Sequence, residues 1–116
     1  MEIIDFEFST PVDYTQAIDC CKKALNEAEW KIEFIRSDET VDNENSLIGG
    51  KFKKWTFFGY ATFDCVIRID NHNKNSLIEM RFVTYDSPEM LEDVGSKVKG
   101  FIQLNLGLVK TNSKKK

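Results

Sequence analysis

Histidine is almost missing from this chain: among 116 residues only His72 carries an imidazole. It lies between Asn71 and Asn73 in a polar turn, so any Ser-His-Asp or Cys-His arrangement would have to be centred on a solvated hairpin turn. There is no Walker loop, no glycine-rich dinucleotide fingerprint and no His/Cys spacing that suits zinc. The chain is therefore expected to be non-catalytic, with no cofactor and no metal.

Cysteine is scarce and odd in number. Cys20 and Cys21 are neighbours in a predicted helix and Cys65 sits in a predicted strand. That excludes a disulfide framework and reads as packing rather than as a redox pair. Long apolar runs are absent too, none approaching the roughly 20 residues that span a bilayer. Glu2, Asp5 and Glu7 follow Met1, the reverse of a basic leader. A cytoplasmic protein with no membrane partner is expected.

Positive charge is in deficit. The formal net charge of −3 conceals Lys110, Lys114, Lys115 and Lys116 in the last seven residues, which hold no acid; without them 12 basic residues face 19 acidic ones, a body of −7. Nucleic-acid affinity comes largely from cationic contacts, so a broad nucleic-acid surface is not expected. Residues 110–116 read as a disordered basic tail. With 41% hydrophobic and 30% charged residues, the rest fits one domain, 1–109, that buries roughly two thirds of its unfolded surface.

What is present is periodicity. Ile4, Phe6 and Phe8 alternate with Asp5 and Glu7, which predicts a strand over Ile3–Phe8. Thr10 as cap, Pro11 in the first helical position and Asp13 in the first turn then open a helix, with Tyr14, Ala17, Ile18, Cys21, Ala24, Leu25 and Ala28 as its inner stripe. A second strand, carrying Trp30, Ile32 and Phe34 inward, ends near Arg36. Ser37–Ser46 reads as an acidic loop that lacks the oxygen spacing and central glycine of a calcium loop. Leu47–Lys53 is a short strand in which Gly49 and Gly50 suggest a bulge. Tyr60–Asp70 and Leu77–Tyr85 flank the polar turn as a hairpin. Ser87, Pro88 and the acids Glu89, Glu92 and Asp93 open a helix that runs to about Leu106 and stops at Gly107. Gly95 and Gly100 inside it suggest close packing on the sheet.

The order β-α-β-β-β-β-α predicts an α+β two-layer sandwich: a mostly antiparallel five-stranded sheet with two helices on one face. Its core should draw on Ile4, Phe6, Phe8, Ile32, Phe34, Phe63, Ile67, Ile78 and Phe82. Over Ile3–Leu106 this order resembles the single repeat of the TATA-box-binding-protein-like fold, and it is similar to small bacterial domains of that fold. The resemblance is one of topology, with no family motif. In that family the outer sheet face grips DNA with Phe wedges; here that face would carry Asp64 and Glu79 beside Arg68 and Arg81.

The densest aromatic stretch comes after Lys51, Lys53 and Lys54: Trp55, Phe57, Phe58 and Tyr60, at a predicted loop or hairpin tip. With Arg68, Arg81, Tyr85 and the outer-face Thr62, Val66 and Val83, it forms the expected contact surface of a protein-binding or self-assembly module. Its partner would be another protein or a second copy, as in a homodimer. The plainer alternative folds Trp55 or Phe57 under the sheet edge as core. Two other readings start from the same residues. One is a small apolar-ligand carrier in which Gly49, Gly50, Gly95 and Gly100 make room. The other is a weak single-stranded nucleic-acid binder using Lys51, Lys53, Lys54, Trp55 and Phe57.

Overall fold

Period-two alternation generates five strands and period-3.6 stripes generate two helices. The computed structural model describes residues 1–39, 44–72 and 75–107. In chain order they form β1 (Glu2–Thr10), α1 (Tyr14–Glu27), β2 (Lys31–Glu39), β3 (Glu44–Thr56), β4 (Gly59–His72), β5 (Asn75–Thr84) and α2 (Pro88–Asn105). The strands make one antiparallel sheet in the order β1-β5-β4-β3-β2. This is the expected α+β sandwich. β1 and β2 are opposite edges of the sheet, so α1 carries the chain across the whole inner face to join them.

Between the layers lies a core built on Phe63, Ile67, Ile69, Ile78, Met80 and Phe82 from the sheet, with Cys21, Leu25, Val98 and Ile102 from the helices. Trp30 is its hub, with its ring stacked on Phe52 at 5.4 Å and edge-on to Phe82 at 5.7 Å. Burial pushes the Cys21 and Cys65 thiols up to about 12, so both stay protonated as packing groups. The cysteines of the chain are free.

The helix starts are set differently from expectation. Thr10 pairs with Ser76 as the last residue of β1, because the β1–β5 ladder continues through it. The cap of α1 is Asp13, whose carboxylate accepts from the Gln16 N–H at 2.8 Å, so the helix starts at Tyr14 rather than at Pro11. Ser87 precedes Pro88 at the start of α2 as expected, without a side-chain capping bond. The segment read as an acidic loop is largely strand: β2 runs to Glu39, β3 begins at Glu44, and Ser37 and Ser46 pair across them. Their hydroxyls lie 2.8 Å apart, and Ser46 also meets the buried Tyr14 hydroxyl at 2.5 Å. Asp42 and the 110–116 tail fall outside the described residues.

Phe34 does not join the core. The β2–β3 register shifts between Ile32 and Phe34, which leaves Glu33 as the extra residue of a bulge and reverses the phase of the rest of β2. Phe34 therefore stands on the outer face, 40% exposed, with its ring over Gly49. A Cβ at Gly49 would collide with that ring, while Gly50 lies under Trp30 on the inner side, 3.4 Å from where its own Cβ would be. The two glycines thus admit one aromatic ring on each face, and the bulge sits on the opposite strand.

At the end of α1 the chain reverses sharply. The Glu29 N–H donates to the Asn26 carbonyl and the Trp30 N–H to the Leu25 carbonyl, at 3.1 and 2.8 Å, a Schellman ending. It places Glu29, with φ 67°, in the left-handed region usually left to glycine.

The glycines inside α2 are not equivalent. A Cβ at Gly95 would lie 3.0 Å from both the Phe6 and Phe82 rings, whereas one at Gly100 would meet nothing within 4 Å. Close packing accounts for Gly95 alone. Gly100→Ala is expected to raise unfolding free energy by about 1 kcal/mol. Gly95→Ala should lower it by about 1 kcal/mol, because overpacking against fully buried Phe82 outweighs the gain in helix propensity. Urea denaturation of the two variants checks both signs.

Candidate functional site

The pairing registers create an arm. β2 reaches β3 only as far as the Lys31–Lys51 pair, and β5 reaches β4 only as far as Val83–Asp64. Among the described residues, Phe52–Thr56 and Gly59–Phe63 pair beyond those rungs only with each other, so the β3–β4 hairpin projects past its neighbours. Phe57 and Phe58 form its two-residue tip. Gly59, at φ +116°, takes the positive angle that lets the turn close, and the Thr56 hydroxyl donates to the Gly59 carbonyl at 2.6 Å.

This arm carries the aromatic residues that the sequence singled out. Phe57 and Phe58 are 95% and 96% exposed, with rings edge-to-face at 5.6 Å. One rung below, Trp55 and Tyr60 face each other across the strands at 4.9 Å and are 68% and 62% exposed. Neither Trp55 nor Phe57 folds under the sheet: alternation sends Trp55 to the outer face, and the turn holds Phe57 beyond the last rung. Tyr85 comes directly after β5 and is exposed at the same end of the sheet.

Arg68 and Arg81 lie elsewhere. Tyr60 and Arg68 are eight residues apart along β4, roughly 27 Å at strand rise. Arg81 grips Asp5 of β1 through two bonds, 2.8 and 3.0 Å, and holds its carboxyl below the usual aspartate range. Arg68 bonds Asp70 at 3.1 Å, and Lys51 lies 3.7 Å from Asp64. The two arginines border a shallow depression of about 530 Å³, with Val66, Leu47 and Glu79 on its lining. The outer face is thus a mosaic of ion pairs and apolar side chains, and the arm is a separate region above it.

Two features of this end carry no signal in the local sequence. The first is Asp86, whose carboxylate accepts from the Thr62 N–H at 3.2 Å and the Thr62 hydroxyl at 2.8 Å. The Thr84 hydroxyl lies 2.8 Å from the Thr62 carbonyl and 3.1 Å from Asp86. Where β5 has ended, this cluster takes the Thr62 backbone groups on the β4 side of the arm. Nothing near Asp86 in sequence points to a partner 24 residues away. The second is an open cleft of about 510 Å³ along the β3 side of the arm, walled by Trp30, Phe52, Met90 and Val94. Glu29, Lys53, Lys54, Asp93 and Lys97 form its charged rim. Its signal is non-local, because it depends on where β2 starts relative to β3.

No protein-family model matches the chain, and no curated protein matches it. Solved structures do. The vertebrate conserved region of human METTL16 is 10% identical, with 93% of this chain and 100% of that one covered, at a TM-score of 0.52. A hypothetical protein from Helicobacter pylori is 9% identical over 90% of this chain and 88% of its own, at 0.49. A TBP-like protein from Parabacteroides distasonis is 8% identical over 89% and 96%, at 0.44. The likeness is one of fold alone. It carries no residue of a site across.

The bonds from Thr62, led by its hydroxyl, hold the Asp86 carboxyl below its ordinary value of 3.8. The folded state therefore prefers the ionised form. Its contribution is complete above pH 3.8 and is lost as the pH falls through the lower folded-state value. Wild type should accordingly unfold at a higher temperature than Asp86→Ala at neutral pH, with the gap persisting to below pH 3.8 before it closes. Thermal scans of both proteins across the acid range test this.

Proposed function

We propose that the chain is a non-catalytic binding module that takes a protein partner, or a second copy of itself, through the aromatic arm and the outer sheet face. The observation that carries this reading is the exposure of Phe57 and Phe58 at the tip of a hairpin held outside the core. Burying one such side chain is worth roughly 1.5–3 kcal/mol, which contact with a partner would recover. Trp55 and Tyr60 add rigid amphipathic anchors of the kind that dominate binding hot spots. The outer face supplies a surrounding surface in which Ile3, Phe34, Val66 and Tyr85 are exposed between ion pairs. A cytoplasmic setting suits three unpaired thiols. No helix of the described residues is long and apolar enough to cross a membrane.

Native mass spectrometry of the freshly purified chain is expected to show a dimer or larger species without added mass, or a retained protein partner. The double variant Phe57→Asp/Phe58→Asp should weaken that association by about a hundredfold or more while leaving the unfolding temperature unchanged, since both residues lie outside the core. Association that is equal in wild type and double variant, or a chain that stays monomeric and retains nothing, overturns the reading.

A further inference from the structure

The two sides of the arm differ. On the β4 side, the Thr62 N–H and carbonyl are taken by Asp86 and Thr84. On the β3 side, nothing among the described residues pairs with Phe52–Thr56 once β2 has begun at Lys31. In an antiparallel ladder alternate residues aim their N–H and C=O groups to the same side, so this edge presents unpaired main-chain donors and acceptors. The cleft walled by Trp30, Phe52, Met90 and Val94 runs beside that edge. The Schellman turn at Glu29 brings the chain in from α1 to the start of β2, with Ala28, Glu29 and Trp30 on the lining of that cleft.

We infer that the free β3 edge from Phe52 to Thr56 receives an extended peptide segment with alternating acidic and apolar side chains, added as a strand in line with β2 and antiparallel to β3. This deepens the protein-binding reading, on which it rests, by naming a partner chemistry and a mode of recognition. Main-chain bonds along the edge supply the affinity, and every second side chain of the incoming strand enters the cleft against Trp30 and Phe52. The charge of the edge selects the partner. Lys53, exposed on the outer face of the edge, meets the acidic side chains that point away from the cleft, while Lys54 stands on the opposite face with Lys97, Glu29 and Asp93 around the cleft that takes the apolar ones. A second copy of the same edge pairing about a two-fold axis would set Lys53 and Lys54 against their own counterparts, a repulsion that guards edges from self-association. An acidic strand meets no such barrier.

The test uses the full chain, labelled with ¹⁵N, and a short blocked peptide alternating valine with glutamate. Amide exchange over Lys53–Thr56 should slow by about tenfold or more at saturation, with resonance shifts spreading to Trp30 and Met90. A version N-methylated on the edge-facing residues should not bind, because it lacks the main-chain donors. Lys53→Glu/Lys54→Glu should weaken the glutamate peptide by about tenfold and favour a valine–lysine peptide instead. Phe57→Asp/Phe58→Asp should leave this binding unchanged, so loss of the edge site and loss of the aromatic contact are separable. Equal binding of the N-methylated peptide, shifts confined to the outer sheet face or the tip, or no protection at Lys53–Thr56 with any of these peptides overturns the assignment.

Discussion

The position of Trp30 fixes most of what distinguishes this molecule. Its backbone N–H completes the turn that ends α1, and its ring fills the space over Gly50 between Phe52 and Phe82. Those contacts anchor the start of β2. Because β2 starts there, its ladder with β3 stops at Lys51, and what β3 has left over becomes arm and cleft. One well-packed indole in the core thereby decides where the sheet stops being covered.

The arm also shows how a protein treats two equivalent edges differently. On one side a short polar cluster stands where the strand is missing, with the Asp86 carboxylate and the Thr84 hydroxyl taking the place of ladder bonds at Thr62. On the other side the guard is charge alone, from Lys53 and Lys54. A hydrogen-bonded cap satisfies backbone groups permanently, whereas a charged edge remains open to a partner of opposite sign. The difference is chemical rather than geometric.

Much of the fold was legible because burial on one face imprints local periodicity. β1, β4 and β5 alternate cleanly, and both helices carry continuous stripes, so element order and layer count could be read directly. The failures share a cause, namely that register is a property of two strands. Phe34 keeps the alternating pattern in sequence, yet one bulged residue reverses its face. Thr10 next to Pro11 looks like a helix start, yet the β1–β5 ladder claims Thr10 and passes the cap to Asp13. Ser37 and Ser46 looked like loop residues because strand pairing with a buried hydroxyl between the layers leaves no apolar signature. The aromatic residues of the arm were visible as a cluster, while their projection beyond the sheet depended on the ends of β2 and β5. The separation of Arg68 and Arg81 from that cluster was equally hidden.

One consequence concerns the order in which the sheet is assembled. The β2–β3, β3–β4 and β4–β5 pairs join neighbours in the chain, but β1 pairs with β5, Glu2 lying opposite Thr84. That ladder closes a loop containing nearly every other element, at an entropic cost that grows with loop length. The four-stranded meander can form from local contacts and present an apolar face while the fifth position stays vacant. Completion of the sheet then resembles the docking of a tethered strand, with α1 as the tether. Circular permutation that linked the two ends of the chain and opened it between β1 and α1 would place β1 after α2, replace that long closure by a shorter β5–α2–β1 unit, and leave the arm and its cleft untouched.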